Sequence, residues 1–216
     1  MPSRGSGEKV KIEVCKILNQ VGAFKFGAFR LSSGKMSPYY IDLRIVSSFP
    51  DAFREVCGFY ADFIRSEVGV KGFERVAGIP VAGIPFAVLV AYDMKKPFLY
   101  IRKGVRRHGR ERSIEGIIAP GDRILLVDDL VTTGLSLQNA AKSIVSEGGL
   151  VSDAVVLLDR QEGGREKLAK NGVKVHALLN VAEIANTLYE LGSIDEEQLR
   201  TILKQKKGKF DSVGAL

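Results

Sequence analysis

The stretch Arg123-Ile124-Leu125-Leu126-Val127-Asp128-Asp129-Leu130-Val131-Thr132-Thr133-Gly134-Leu135-Ser136 decides the fold. Ile124–Val127 is apolar at every position, so it has no solvent-facing side. The run Ala154–Leu158 reads the same way. Strands without polar alternation belong inside a parallel sheet covered by helices on both faces. After the first run come two carboxylates, a short Thr/Gly/Ser bend, and a helix beginning after Gly134.

Outward from this stretch, strands alternate with helices from Phe73 onward. Strands are predicted over Arg75–Ile79, Pro97–Arg102, Arg123–Val127, Val151–Leu158 and Val173–Leu179. Helices are predicted over Pro85–Tyr92, after Gly134 and from Gly164. This rhythm predicts an α/β fold built on a doubly wound, mostly parallel sheet, with ligands bound beyond the carboxyl ends of the strands. Ahead of it, Val10, Val14, Ile17, Leu18 and Val21 share one face of a predicted helix from Glu8 to Val21. A hairpin follows, Phe26–Leu31 and Pro38–Arg44, turning at Ser33-Gly34. Pro50 opens a second helix with Phe53, Val56, Cys57, Tyr60, Phe63 and Ile64 as its core stripe. The expected organisation is an N-terminal helix and hairpin hood over 1–50, an α/β core over 51–192, and a C-terminal helix with a basic tail over 193–216. The last helix is predicted to start at a capping box, Ser193 to Glu196.

Bulk properties set outer bounds. Hydrophobic residues make up 45% and charged residues 26% of 216 residues, enough for a real core in one domain with an appendage or in two small ones. A net charge of +7 suits anionic ligands, whether nucleic acid or a phosphorylated small molecule, and taken alone says no more than solubility. Cys15 and Cys57 show no metal-type spacing and read as buried thiols in a reducing compartment. No apolar run reaches membrane-spanning length, and Met1–Gly7 lacks a signal-peptide core. A cytoplasmic location follows by default, with no membrane partner.

The chemistry sits in three segments. In the first, N–H groups at the start of a helix bind phosphate with the help of the helix dipole, and Gly134 lets the backbone come close. The hydroxyls of Thr132, Thr133 and Ser136 add donors. Asp128 and Asp129 accept hydrogen bonds and so suit a sugar diol. A lone acidic pair would more often be a capped turn, but the whole series is specific. Phosphate beside a diol means a ribose 5-phosphate. The absence of a terminal Gly-Lys-Ser/Thr separates the segment from a Walker A loop.

The second segment is Tyr100-Ile101-Arg102-Lys103-Gly104-Val105-Arg106-Arg107-His108-Gly109, hydrophilic as far as Glu115. Five cationic or near-cationic side chains in the seven positions 102–108 suit a diphosphate leaving group beneath a closing lid. The third is Gly78-Ile79-Pro80-Val81-Ala82-Gly83-Ile84-Pro85, a glycine-rich βα loop with open N–H groups for the same diphosphate.

In this order the three segments resemble the type I phosphoribosyltransferases, and within them the orotate phosphoribosyltransferases. Two further stretches carry the resemblance to the orotate branch: the hairpin signature from Phe24 to Tyr40, and Leu158-Asp159-Arg160-Gln161-Glu162. The resemblance runs from about Lys25 to Ala182. It implies a Mg²⁺-dependent transfer of ribose 5-phosphate from phosphoribosyl diphosphate to orotate. It further implies catalytic roles for Lys103, Arg106, His108, Asp128 and Asp129, and sugar-diphosphate contacts by Arg102, Lys103, Arg106, His108 and residues 128–136. Lys25, Thr132 and Arg160 would contact orotate. The metal would be held by substrate and water, not by protein ligands. A homodimer sharing the lid between subunits is implied, and nucleic acid is not an expected partner. Two positions depart from the family pattern: Ala82 and Arg106 stand where many members carry lysine. Arginine keeps the charge but cannot give up its proton at working pH. A phosphoribosyltransferase for another base, or a regulator that keeps the fold for ligand sensing, are the competing readings.

Overall fold

The computed structural model describes residues 4–30, 36–102 and 113–206. The expected Ser33-Gly34 turn and the tail beyond residue 206 lie outside these residues. In chain order the elements are α1 (Arg4–Gln20), β1 (Phe24–Arg30), β2 (Met36–Ile41), a 3₁₀ turn (Leu43–Ser48), α2 (Pro50–Glu67), β3 (Arg75–Gly78), α3 (Gly83–Asp93), β4 (Phe98–Ile101), β5 (Ile114–Glu115), β6 (Ile124–Val131), α4 (Leu135–Ser146), β7 (Asp153–Asp159), α5 (Gly164–Ala169), β8 (Lys174–Asn180), α6 (Val181–Glu190) and α7 (Glu196–Lys206).

The main sheet runs β5-β4-β3-β6-β7-β8, parallel throughout except for β5, which pairs antiparallel with β4. The two-sided apolar strands explain why it is covered on both faces. Along β6, Leu125 and Val127 join the core shared with α1, α2, α3, α6 and the hairpin. Ile124 and Leu126 join a second core beneath α4 and α5. Along β7, Val155 and Leu157 face the first core and Ala154 and Val156 the second. The period of two assigns alternate residues to opposite layers. The predicted doubly wound α/β architecture is the one observed.

Several element bounds differ from the sequence reading. β6 does not stop at Val127 but pairs with β7 through Leu130 and Val131, so the acidic pair lies inside the strand. β2 ends at Ile41, because Asp42 accepts from the Arg44 N–H and caps the 3₁₀ turn that occupies the expected strand end. α1 begins at Arg4 rather than Glu8. Asn180 both ends β8 and caps α6 through a reciprocal box with Glu183, a helix absent from the sequence reading. The box that opens α7 is Asp195 with Gln198, each side chain bonding the other's N–H at 2.8 and 3.0 Å, and not Ser193 with Glu196. α7 packs on α6 and on β2.

Topology now locates the site. From β3 the chain crosses to β4 on one side, and after β5 it returns to β6 on the other side of β3. The loops leaving β3 and β6 therefore diverge, and a crevice opens between them at the carboxyl edge of the sheet.

Candidate active site

The crevice is a cavity of about 280 Å³ lined by Pro80, Val81 and Ala82 from the loop after β3 and by residues 128–137 from the end of β6 and the start of α4. The Pro80–Val81 peptide is cis. Gly134 sits at φ 75°, a left-handed conformation that glycine adopts without strain, and this turns the chain into α4. Leu135 and Ser136 are exposed at the helix start, Thr133 is exposed, and Thr132 is half-buried. The loop after β3 closes tightly on the acidic pair. A side chain at Gly83 would place its Cβ 2.7 Å from Asp128 Oδ1 and 2.8 Å from Asp128 Cα.

Asp128 and Asp129 are 6% and 9% exposed. Asp128 Oδ1 accepts from the Asp129 N–H at 2.9 Å. Burial, reinforced by the neighbouring Asp129 charge, pushes the Asp128 carboxyl well above its ordinary value. Burial also raises Asp129, against the hydrogen bonds it receives and the positive charge of Arg44. Two adjacent carboxyls drawn out of water cannot both ionise cheaply, so the pair holds its protons more tightly than two separate carboxyls would. Beneath them, the fully buried Tyr60 hydroxyl from α2 donates to Val155 O at 2.6 Å and Asp128 O at 2.9 Å. It ties the second helix to the backbone of the acidic pair.

At the end of β7, Arg160 N–H donates to Val131 O at 3.0 Å, which seats Arg160 beside the strand end that carries Thr132. Its side chain is 5% exposed. Nε lies 2.9 Å from Glu162 Oε1, but the contact is off the N–H direction. Arg160 Nε, Arg160 Nη2 and Glu162 Oε1 therefore all lack a hydrogen-bond partner among the described residues. A buried guanidinium with two donors unmet is costly unless a ligand completes it.

The structure thus brings together Asp128, Asp129 and residues 130–136 around one cavity. Lys25 is exposed on β1, where its charge acts on Asp42. Arg102 is exposed at the end of β4 and pairs with Glu115 at 3.1 Å. Lys103, Arg106 and His108 lie outside the described residues. Tyr60, Tyr39 and Arg44 were not singled out for the site from sequence, because nothing in a lone aromatic or arginine tells which strand end it will reach. Cys15 and Cys57 are buried free thiols, each pushed up to about 12 by burial.

Comparison with known proteins agrees with this geometry. Residues 51–189 match the phosphoribosyl transferase domain family. The orotate phosphoribosyltransferase of Cenarchaeum symbiosum is 41% identical over 185 residues, 86% of this chain and 92% of the relative. That of Saccharolobus solfataricus is 38% identical over 82% of this chain and 88% of the relative. Among solved structures, orotate phosphoribosyltransferase from Aeropyrum pernix superposes with a TM-score of 0.70 at 30% identity, over 83% of this chain and 99% of that one. Leishmania donovani UMP synthase gives 0.82 at 32% identity over 92% of this chain, which spans 42% of that longer protein. A buried acidic pair at the switch point, a phosphate-type bend behind it and these likenesses converge, and the chain belongs to the orotate phosphoribosyltransferase family of phosphoribosyl transferase domain proteins.

Proposed function

We propose that this enzyme moves the 5-phosphoribosyl group of phosphoribosyl diphosphate onto a ring nitrogen of orotate, giving orotidine 5'-monophosphate and diphosphate. The observation that carries the reading is the juxtaposition at one sheet edge of the acidic pair, the bend at 132–136 and the unsatisfied Arg160.

In this reading the N–H groups and hydroxyls of residues 132–136 hold the 5-phosphate, with the start of α4 adding its dipole. Asp128 and Asp129 accept hydrogen bonds from the ribose hydroxyls. As the bond from C1 to the diphosphate stretches, positive charge grows on the sugar ring, and the carboxyl pair beneath it favours that charge. Arg102, Lys103, Arg106 and His108 supply the positive charge that the departing diphosphate needs. Arg106 contributes charge only, which leaves Lys103 and His108 as proton donors. The nucleophilic nitrogen then attacks C1 while Arg160 and Thr132, with Lys25 on the hairpin, hold the base. No group of three or more His, Cys, Asp or Glu among the described residues forms a metal cage. The donor set fits Mg²⁺ bound through substrate oxygens and water beside Asp128 and Asp129, where the ion would neutralise diphosphate charge. We further propose a homodimer in which each lid segment serves the neighbouring subunit. We also propose a cytoplasmic setting; no helix among the described residues is long and apolar enough to cross a membrane.

The test is diphosphate release from phosphoribosyl diphosphate with orotate, uracil and hypoxanthine in turn. Orotate alone should support rapid release; release with another base and none with orotate would overturn the assignment. Arg160→Ala should cut orotate turnover at sub-saturating base by at least about tenfold, the loss expected for one charge-assisted hydrogen bond. Unchanged turnover would remove Arg160 from base recognition.

A further inference from the structure

Tyr39 lies on β2, in the hairpin, while Arg160 follows β7 of the core sheet, yet the guanidinium sits over the Tyr39 ring. The guanidinium carbon is 4.9 Å from the centre of the Tyr39 ring, and the residues are 4% and 5% exposed. The two atoms of Arg160 left without hydrogen-bond partners, Nε and Nη2, share one edge of the guanidinium plane. Parallel donors on one edge match the two oxygens of a planar carboxylate. Such an edge is selective only if its plane is fixed, and a long side chain loses freedom when it is fixed. An aromatic ring against the guanidinium face fixes the plane and leaves that edge free. Glu162 Oε1, 2.9 Å from Nε, balances the charge but makes no aligned hydrogen bond there, so both donors still lack a hydrogen-bond partner among the described residues.

The geometry points to Tyr39 as a positioning residue for base recognition: its ring holds the Arg160 guanidinium so that Nε and Nη2 present a two-pronged edge to the substrate's carboxylate. This rests on the assignment of Arg160 to orotate made above. It gives the hairpin a part in choosing the base as well as in covering the core. Tyr39 also packs in the main core, so a purely structural role predicts a different result. Loss of packing would lower turnover with every base alike; loss of alignment would fall on the anionic base alone.

The experiment is steady-state kinetics with orotate and with uracil for the wild type, Tyr39→Met, Tyr39→Phe and Arg160→Ala, with the melting temperature of each. Methionine fills the space without a ring face. Tyr39→Met should raise the orotate KM about tenfold, equivalent to about 1.4 kcal/mol, with kcat and the KM for phosphoribosyl diphosphate within about twofold. The preference for orotate over uracil should fall by the same factor, and Tyr39→Phe should restore most of it. Should Tyr39→Met not fold, Tyr39→Leu takes its place. A folded Tyr39→Met protein with an unchanged orotate KM, or with equal losses on both bases, overturns the positioning role. So does a Tyr39→Phe protein as impaired as Tyr39→Met. If Arg160→Ala itself leaves the orotate KM unchanged, the parent assignment fails instead, and the positioning role falls with it.

Discussion

Replacing Asp128 by asparagine should make the protein more stable and less active. In the folded state burial, and then the charge of Asp129, push the Asp128 carboxyl well above the ordinary carboxylate value of 3.8. In the unfolded chain the same group ionises at that ordinary value. Below it, both states carry the proton and nothing is gained or lost. Above it, the unfolded state gives up its proton first, so stability falls as pH rises and the cost stops growing only beyond the folded-state value. The slope for one such group reaches at most about 1.4 kcal/mol per pH unit. The asparagine side chain would mimic the protonated acid: its Oδ1 can still accept from the Asp129 N–H, a bond that Asp128 makes at 2.9 Å, and its amide can donate to the Asp129 carboxylate. The pH-linked loss at this position then disappears. Thermal melting from pH 4 to pH 8 should show variant and wild type together at the acid end and the variant ahead by a widening margin toward neutrality. The kcat/KM for phosphoribosyl diphosphate should fall about 10- to 100-fold, because asparagine can never take up the negative charge that the acid can acquire when the sugar ring becomes positive. Parallel melting curves across the whole range would show that Asp128 carries no such penalty and refute the reasoning.

Two other substitutions test the supports of the acidic pair. Tyr60→Phe removes a hydroxyl with a single proton shared between Val155 O and Asp128 O, so about one buried hydrogen bond is lost. That is about 1–2 kcal/mol, or a melting temperature lower by about 2–4 °C for each kcal/mol; an unchanged melting temperature would mean the hydroxyl contributes nothing net. Gly83→Ala forces a Cβ to within 2.8 Å of the Asp128 backbone and the Val127 carbonyl, so either the loop after β3 or the acidic pair must shift. The better helix propensity of alanine offsets only about 1 kcal/mol, and calorimetric titration with phosphoribosyl diphosphate should show clearly weaker binding; wild-type affinity would show that the close approach has no bearing on the sugar.

How much of this was legible in the sequence depended on whether a segment obeys the rules of its own class. Ala154–Leu158 is apolar throughout, and it lies inside the parallel sheet as read. The bend at Thr132–Ser136 was legible because a glycine, hydroxyls and a helix start coincide, and the structure places all of them at one cavity. α6 was not legible: Asn180 serves as the last residue of β8 and the cap of the helix at once, so no turn residues mark the boundary. The start of α7 was read too early because Ser193 to Glu196 carries the same spacing as the working pair, Asp195 with Gln198. Spacing shows which side chains can cap, not which of them faces the open N–H groups.

The instructive failure is the end of β6. The apolar run ends at Val127, and charged residues are rarely buried, so the sequence pattern offers no sign that the strand goes on through Asp128. It continues to Val131, with the carboxyls enclosed and Tyr60 braced beneath them. Arg160 departs from the same rule at the end of the adjacent strand, as a buried cation with two donors unmet. Two carboxyls drawn out of water and a guanidinium with two donors unmet both lower the stability of the free protein, and Arg44 beside the first and Glu162 beside the second offset the charge without completing the hydrogen bonds of Arg160. A sugar diol answers the first and a carboxylate the second. Local physics and global fold agree along the interior of β6 and β7 and part company only where those strands leave the core, so the places where the pattern breaks are the places a ligand would complete.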